Sequence, residues 1–273
     1  MKVGMSMTLR FLLLLCFFGF TVAGVSSSVL ASPMATPATT PAPAAATSPS
    51  VLRGVQVAPC SKPLPPGQQL NLDFGQLCRY EEANAKLSKP TSQRVVYFGD
   101  SITELWGRQI PGLQPDDVIN RGISGQTTAQ MLVRFRSDVT NLHPHIVHLL
   151  MGTNDIAGNT GATTIVRIEE AISSMVEQAQ ASGIRVVLAA ILPAKRYSWR
   201  TEIDPVANIR KINLWMADYA SRRNVTFVDY RRTVTDGGDG LNPLFTTDGV
   251  HPNSGGYNAM GVLAADAIRR ANQ

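Results

Sequence analysis

The chain has 273 residues, 25 Lys and Arg against 20 Asp and Glu, and a formal charge of +5. Its cations are scattered, in adjacent pairs such as Arg222 Arg223 and Arg231 Arg232 at most, and no basic stripe is interleaved with aromatics, which argues against nucleic acid as a partner. The length admits one large domain or two small ones.

Lys2 and Arg10 precede an apolar run over residues 11–20 that weakens toward Val25, and Val29 Leu30 Ala31 has the small-x-small pattern of a cleavage site. Residues 1–31 therefore read as a secretory signal peptide. The apolar run is shorter than the roughly 20 residues of a transmembrane helix, so cleavage is favoured over an uncleaved N-terminal anchor, with no stable membrane span left after it. Cys16 lies inside the run, behind Leu15, which argues against a lipid-anchored cysteine. Cleavage would remove two cations and no acid, leaving +3. The expected location is secreted, periplasmic or extracellular. There, the remaining Cys60 and Cys78 meet an oxidising compartment in which they could pair, a bridge worth about 3 kcal/mol. The sequence does not supply the geometry that pairing requires.

Residues 32–50 are almost entirely Ala, Pro, Thr and Ser, too small to build a core. Residues 32–69 as a whole read as a linker and irregular segment, followed by one domain over 70–273. A short helix is expected within 75–87, ended by Pro90. Beyond Gln93 short apolar strands alternate with longer helical segments. Strands are expected near 95–98, 117–120, 146–151, 185–191 and 225–228, and helices over 127–139, 164–182, 205–223 and 254–270. The clearest helix carries Ile165, Ile168, Ala171, Ile172, Met175, Val176 and Ala179 at helical spacing, closed by Gly183. This alternation predicts an α/β fold with a doubly wound, five-stranded parallel sheet of flavodoxin-like order.

In such a sheet the loops that follow the strands gather at one edge, and four of them carry candidate chemistry. After the first strand, Gly99 Asp100 Ser101 Ile102 Thr103 sets a serine on a sharp turn before a helix, although Ser101 to Glu104 also spells a capping box. After the second, Gly122 Ile123 Ser124 Gly125 Gln126 Thr127 Thr128 can turn backbone N–H groups toward a ligand, or simply turn. After the third, Gly152 Thr153 Asn154 Asp155 offers an amide that could donate to an oxyanion or cap a helix. Near the C terminus, Asp248 Gly249 Val250 His251 Pro252 lets a carboxylate reach an imidazole within one loop. Together they supply a serine, a base, an orienting carboxylate and oxyanion donors.

These four blocks, in this order and covering Gln93 to the C terminus, resemble those of the GDSL/SGNH hydrolases, in the platelet-activating-factor-acetylhydrolase-like and lysophospholipase-like branch. Ile102 stands where the first block usually has Leu. The resemblance implies a three-layer α/β/α SGNH hydrolase fold. It also implies Ser101 as nucleophile and first oxyanion donor, Gly125 and Asn154 as further oxyanion donors, His251 as base and Asp248 as its orienting carboxylate. Cofactor and metal are not implied.

Other features are weaker candidates. Ser124 lies in a Gly122 to Gly125 stretch that lacks the full G-x-S-x-G elbow, because position 126 is Gln. His145 and His148 fall on opposite faces of a strand, against a shared metal. Asp236 and Asp239 lack the alternation of a calcium loop. Asn224 Val225 Thr226 is a glycosylation sequon. Tyr197 and Trp199, after the fourth strand, could stack on a sugar or line an acyl pocket, or Trp199 could pack beneath its loop. The expected activity is a secreted serine esterase cleaving short acyl esters, such as acetyl esters of carbohydrates, since no long apolar insertion suggests a lipid-interface lid. The alternatives are a lysophospholipase or arylesterase, and a non-catalytic binding module on the same fold.

Overall fold

The computed structural model describes residues 73–107 and 117–273. The expected signal peptide, residues 1–31, the expected linker, residues 32–69, and Cys60 lie outside the described residues. Cys78 is disulfide-bonded.

Five strands, β1 (Val95–Gly99), β2 (Val118–Gly122), β3 (Ile146–Leu150), β4 (Arg185–Ala189) and β5 (Thr226–Val228), form one sheet of order β2-β1-β3-β4-β5. All pairs are parallel, and the order is the flavodoxin-like one. The central strands β1 and β3 are buried at every position, as expected for strands covered on both faces.

On one face Val96, Phe98, Val147, Leu149 and Leu188 pack with α3 (Thr128–Asp138), α5 (Ile165–Ala181) and α6 (Val206–Arg223). The other face uses the alternate residues Val95, Tyr97, Ile146 and Val187, against α2 (Ser101–Trp106), the short α7 (Arg231–Val234) and α8 (Ser254–Ala271). The result is a three-layer α/β/α sandwich. The register pairs Gly99 with both Gly122 and Leu150, so β1, β2 and β3 end level and their following loops share one edge. Gly99 is required at that edge: a Cβ there would lie 2.1 Å from Thr103 Oγ1 and 2.3 Å from the Leu150 carbonyl oxygen.

Two segments are shorter than their patterns suggest. The front helix α1 covers only Glu81–Ala85, preceded by turns that the Asp73 carboxylate organises through the Leu77 N–H. It docks through Asn84, whose Nδ2 donates to Asp138 and whose Oδ1 accepts from Arg121 Nε. β4 ends at Ala189 although its apolar run continues, because the Asn213 side chain on α6 takes both the N–H and the carbonyl of Ile191.

Beneath the level strand ends lies Arg134, fully buried on α3. Its guanidinium donates to the Gly99 carbonyl (3.0 Å), the Arg121 carbonyl (2.9 Å), Gln126 Oε1 and the Asp138 carboxylate (3.1 Å). Its carbon stands 4.1 Å from the centre of the Phe98 ring. Removing the cation alone would leave the buried Asp138 carboxylate without its counter-charge, although Asn84 still donates to it, and would take a donor from the Gly99 and Arg121 carbonyls. Arg134→Met should therefore cost about 3–5 kcal/mol of unfolding free energy, measured by urea denaturation, and a loss below about 1 kcal/mol would contradict this role.

Candidate active site

Ser101 is the first residue of α2, one position inside the helix. The cap is Asp100, whose carboxylate accepts from the Ile102 N–H at 2.9 Å, not Ser101, as the Ser-x-x-Glu pattern suggested. Glu104, the other half of that pattern, instead accepts from Arg79 and from the Ser124 N–H (2.8 Å) and hydroxyl. The Ser101 hydroxyl is thereby spared from capping and lies 2.8 Å from His251 Nε2.

His251 Nδ1 lies 2.6 Å from Asp248 Oδ2. The other carboxylate oxygen of Asp248 accepts from the N–H groups of His251 (2.8 Å) and Val250 (2.9 Å), and Thr246 Oγ1 donates to the His251 carbonyl at 2.8 Å. Burial alone would raise the Asp248 carboxyl, but bonds from the His251 ring and from these backbone groups outweigh it and bring it to about 2. Tyr257 on α8 fixes the loop relative to the serine helix by donating to the Ile102 carbonyl at 2.8 Å.

The candidate oxyanion donors converge on the same edge. Gly125 has φ +77°, a conformation that favours glycine. Neither its N–H nor that of Ser101 has a backbone acceptor among the described residues. Asn154 is buried, and its Nδ2 donates to the Gln126 carbonyl (3.0 Å) and, at a longer 3.2 Å, to Asp100. Its Oδ1 accepts from Asn159 Nδ2 at 2.8 Å. Beside it, Asp155 accepts from the N–H and hydroxyl of Thr128 and so holds the start of α3.

The loop after β4 divides differently from expectation. Tyr197, expected to face substrate, is fully buried, because it packs under Trp199 with ring centres 5.0 Å apart. Trp199 is 41% exposed, 6.3 Å from the His251 ring, and donates through Nε1 to Asn159 Oδ1 at 3.2 Å. A cleft of about 650 Å³ beside Asp248 is lined by Lys195, Arg196, Ser198 and Thr246. A larger hollow of about 800 Å³, off β5 between α6 and α8, contains none of these groups.

The remaining candidates are placed elsewhere. Ser124 faces Glu104 and no imidazole. His148 is a core residue, stacked 4.5 Å from Tyr97 and 2.7 Å from the Tyr230 hydroxyl, and burial lowers it to about 3, so it stays neutral. Asp236 pairs with Lys195 and Asp239 with Arg210. Among the described residues no group of three or more His, Cys, Asp and Glu could hold a metal ion, and no helix is long and apolar enough to cross a membrane.

Residues 97–259 match the GDSL-like Lipase/Acylhydrolase family. The chain belongs to that family. Its structure is similar to a candidate acylhydrolase from Bacteroides fragilis NCTC 9343, with 43% identity, a TM-score of 0.70, and coverage of 74% of this chain and 99% of the other. It is also similar to a GDSL-like lipase from Bacteroides thetaiotaomicron VPI-5482, with 42% identity, a TM-score of 0.69, and coverage of 73% and 100%. The uncharacterized lipoprotein YqeF of Bacillus subtilis (strain 168) is 34% identical over 80 residues, a stretch that spans 28% of this chain and 33% of that protein. This GDSL acylhydrolase domain is thus an esterase-class enzyme, matched by the two Bacteroides structures over nearly their whole lengths.

Two residues of the site escaped the sequence patterns. Asp100 is hidden by the serine beside it, and Asn159 has no motif of its own. Burial pushes the Asp100 carboxyl up to about 7 and that of Asp155 up to about 6, from an ordinary 3.8. The folded state therefore holds protons that the unfolded chain releases, and their contribution to stability, full below about pH 4, is lost as pH rises toward 7. Asp248 has the opposite sign: its contribution is full above about pH 4 and is lost as pH falls toward 2. Thermal melts should show a falling Tm from about pH 4 to 7, flattened in Asp155→Asn, and a separate loss below pH 4. A Tm that climbs steadily from pH 4 to 7 would contradict the burial of these acids.

Proposed function

We propose that this chain is an exported serine esterase that cleaves short acyl esters, with acetylated carbohydrates as the favoured substrate class. The observation that carries the reading is the continuous line from Ser101 Oγ to His251 Nε2 (2.8 Å) and from His251 Nδ1 to Asp248 (2.6 Å). With Nδ1–H donated to Asp248, the ring presents an unprotonated Nε2 to the serine, which is the tautomer a general base needs.

In this reading the Ser101 oxygen attacks the ester carbonyl carbon while its proton passes to His251 Nε2. The negative charge on the former carbonyl oxygen meets the N–H groups of Ser101 and Gly125 and the amide of Asn154. Both Asn154 protons already have acceptors, and the longer bond, to Asp100, is the one exchanged for the oxyanion. Collapse breaks the ester C–O bond, and His251 returns the proton to the departing alcohol. Water then attacks the acyl-serine, gives its proton to His251, and releases the acid as Ser101 regains its hydrogen.

Two features support the substrate class. Trp199 offers an exposed ring beside the base, suited to stacking on a sugar. The cleft at Asp248 carries Lys195, Ser198, Thr201 and Thr247 on its walls, side chains able to hydrogen-bond the hydroxyls of a sugar. The apolar run near the N terminus supports export.

Ser101→Ala should lower turnover of p-nitrophenyl acetate about 10³-fold or more. Asn154→Ala should lower kcat about 10²–10³-fold, or about 3 kcal/mol, with folding intact. An ester series from acetate to palmitate should peak at the short end and extend to an acetylated polysaccharide. Normal activity in Ser101→Ala would end the mechanism, and a peak at long chains would replace the substrate class with a lipolytic one.

A further inference from the structure

After β3 the chain makes the short helix α4 (Thr153–Ile156) and folds back on itself, with the Asn159 N–H donating to the Asn154 carbonyl at 3.0 Å. This return places the Asn159 side chain among three segments that are distant in sequence. Its Nδ2 donates to the Gly125 carbonyl (3.1 Å) and to Asn154 Oδ1 (2.8 Å), and its Oδ1 accepts from the Trp199 indole (3.2 Å). Arg200 runs a parallel tie to the Gly158 carbonyl at 3.2 Å. An amide is planar and has one acceptor end and one donor end. A single orientation satisfies all three contacts, and turning the group over sets donor against donor at Trp199 and acceptor against acceptor at Gly125 and Asn154.

We infer that Asn159 is a positioning residue, which holds the Gly125 and Asn154 oxyanion donors in place and couples them to the exposed Trp199 ring beside His251. This rests on the esterase reading given above. Asn159 itself touches no reacting atom; it acts through the two groups that do. Asn154 is also held by Asp100 and, on the Gly125 loop, by the neighbouring Gln126 carbonyl; the tie from Asn159 adds the contact at Gly125 itself and the one to Trp199. Trp199 gains a second role: besides presenting a ring to the alcohol portion of the ester, its N–H fixes the orientation of the amide that sets the hole. Substrate contact at Trp199 and stabilisation of the oxyanion are then linked through one side chain.

The inference is tested by steady-state kinetics on p-nitrophenyl acetate with Ser101→Ala as the reference. Asn159→Ala and the near-isosteric Asn159→Asp should each lower kcat about 10- to 100-fold while KM changes less than about threefold, since the interaction lost is one that serves the transition state. Asp should be no better than Ala, because it sets a carboxylate oxygen against the Gly125 and Asn154 oxygens. Trp199→Phe, which keeps a ring and loses the N–H, should lower kcat about 3- to 10-fold in the wild type and by little in the Asn159→Ala background, the non-additivity expected of coupled residues. Wild-type kcat in Asn159→Asp, or fold-losses from Asn159→Ala and Trp199→Phe that simply multiply, would overturn the coupling while inactive Ser101→Ala leaves the esterase reading standing. An active Ser101→Ala would overturn that reading itself.

Discussion

The arrangement depends on one buried cation. Arg134 has no exposed surface, yet it joins three pieces of the active edge, the end of β1 at Gly99, the end of β2 at Arg121 and the Gln126 side chain, while Asp138, one turn on along its own helix, balances its charge. Two of its partners are carbonyl oxygens at strand ends, and at Gly99 the guanidinium adds a second donor to the one from the Ile123 N–H. The Gly99 carbonyl precedes Asp100 and Ser101 in the chain, and Gln126 follows Gly125 and receives Asn154 at its own carbonyl. The guanidinium fork, with five donors in a plane, is the side chain whose geometry can serve these directions together.

Above that clamp, work is divided between neighbours. Asp100 caps the helix so that Ser101 does not, and Glu104 is drawn off to Ser124 and Arg79. The serine is left with its hydroxyl toward His251 and its N–H without a backbone acceptor among the described residues. On the other side, the Asp248 to His251 loop is organised by its own backbone and Thr246, and Tyr257 joins it to the serine helix. Parts contributed 150 positions apart in sequence therefore meet at 2.8 Å, within a frame that is rigid on both faces of the sheet.

Much of this was legible in the sequence, for specific reasons. β1 and β3 are buried on both faces and so read as unbroken apolar runs, and the helical spacing from Ile165 to Ala179 left little choice. Ser101, Asn154, Asp248 and His251 stood in short motifs after strands, where a parallel sheet collects its loops. What escaped was set by contacts between distant residues. β4 stops at Ala189 because Asn213, on another helix, takes the next backbone groups. Tyr197 looked like a loop aromatic but is covered by Trp199. Arg134 reads as an ordinary polar helix position, and Asn159 as a turn residue, until the segments they join are brought together.

The central claim is that Ser101, and not Ser124 or another hydroxyl, forms the covalent bond to substrate. A fluorophosphonate ester tests it directly, since it is attacked by the same oxygen and leaves a stable adduct. Intact-mass measurement of the treated protein should show one added group, peptide mapping should place it on Ser101, and esterase activity should fall in proportion to labelling. A stoichiometric adduct on a different residue that abolishes activity, or full activity with Ser101 completely labelled, would contradict the account.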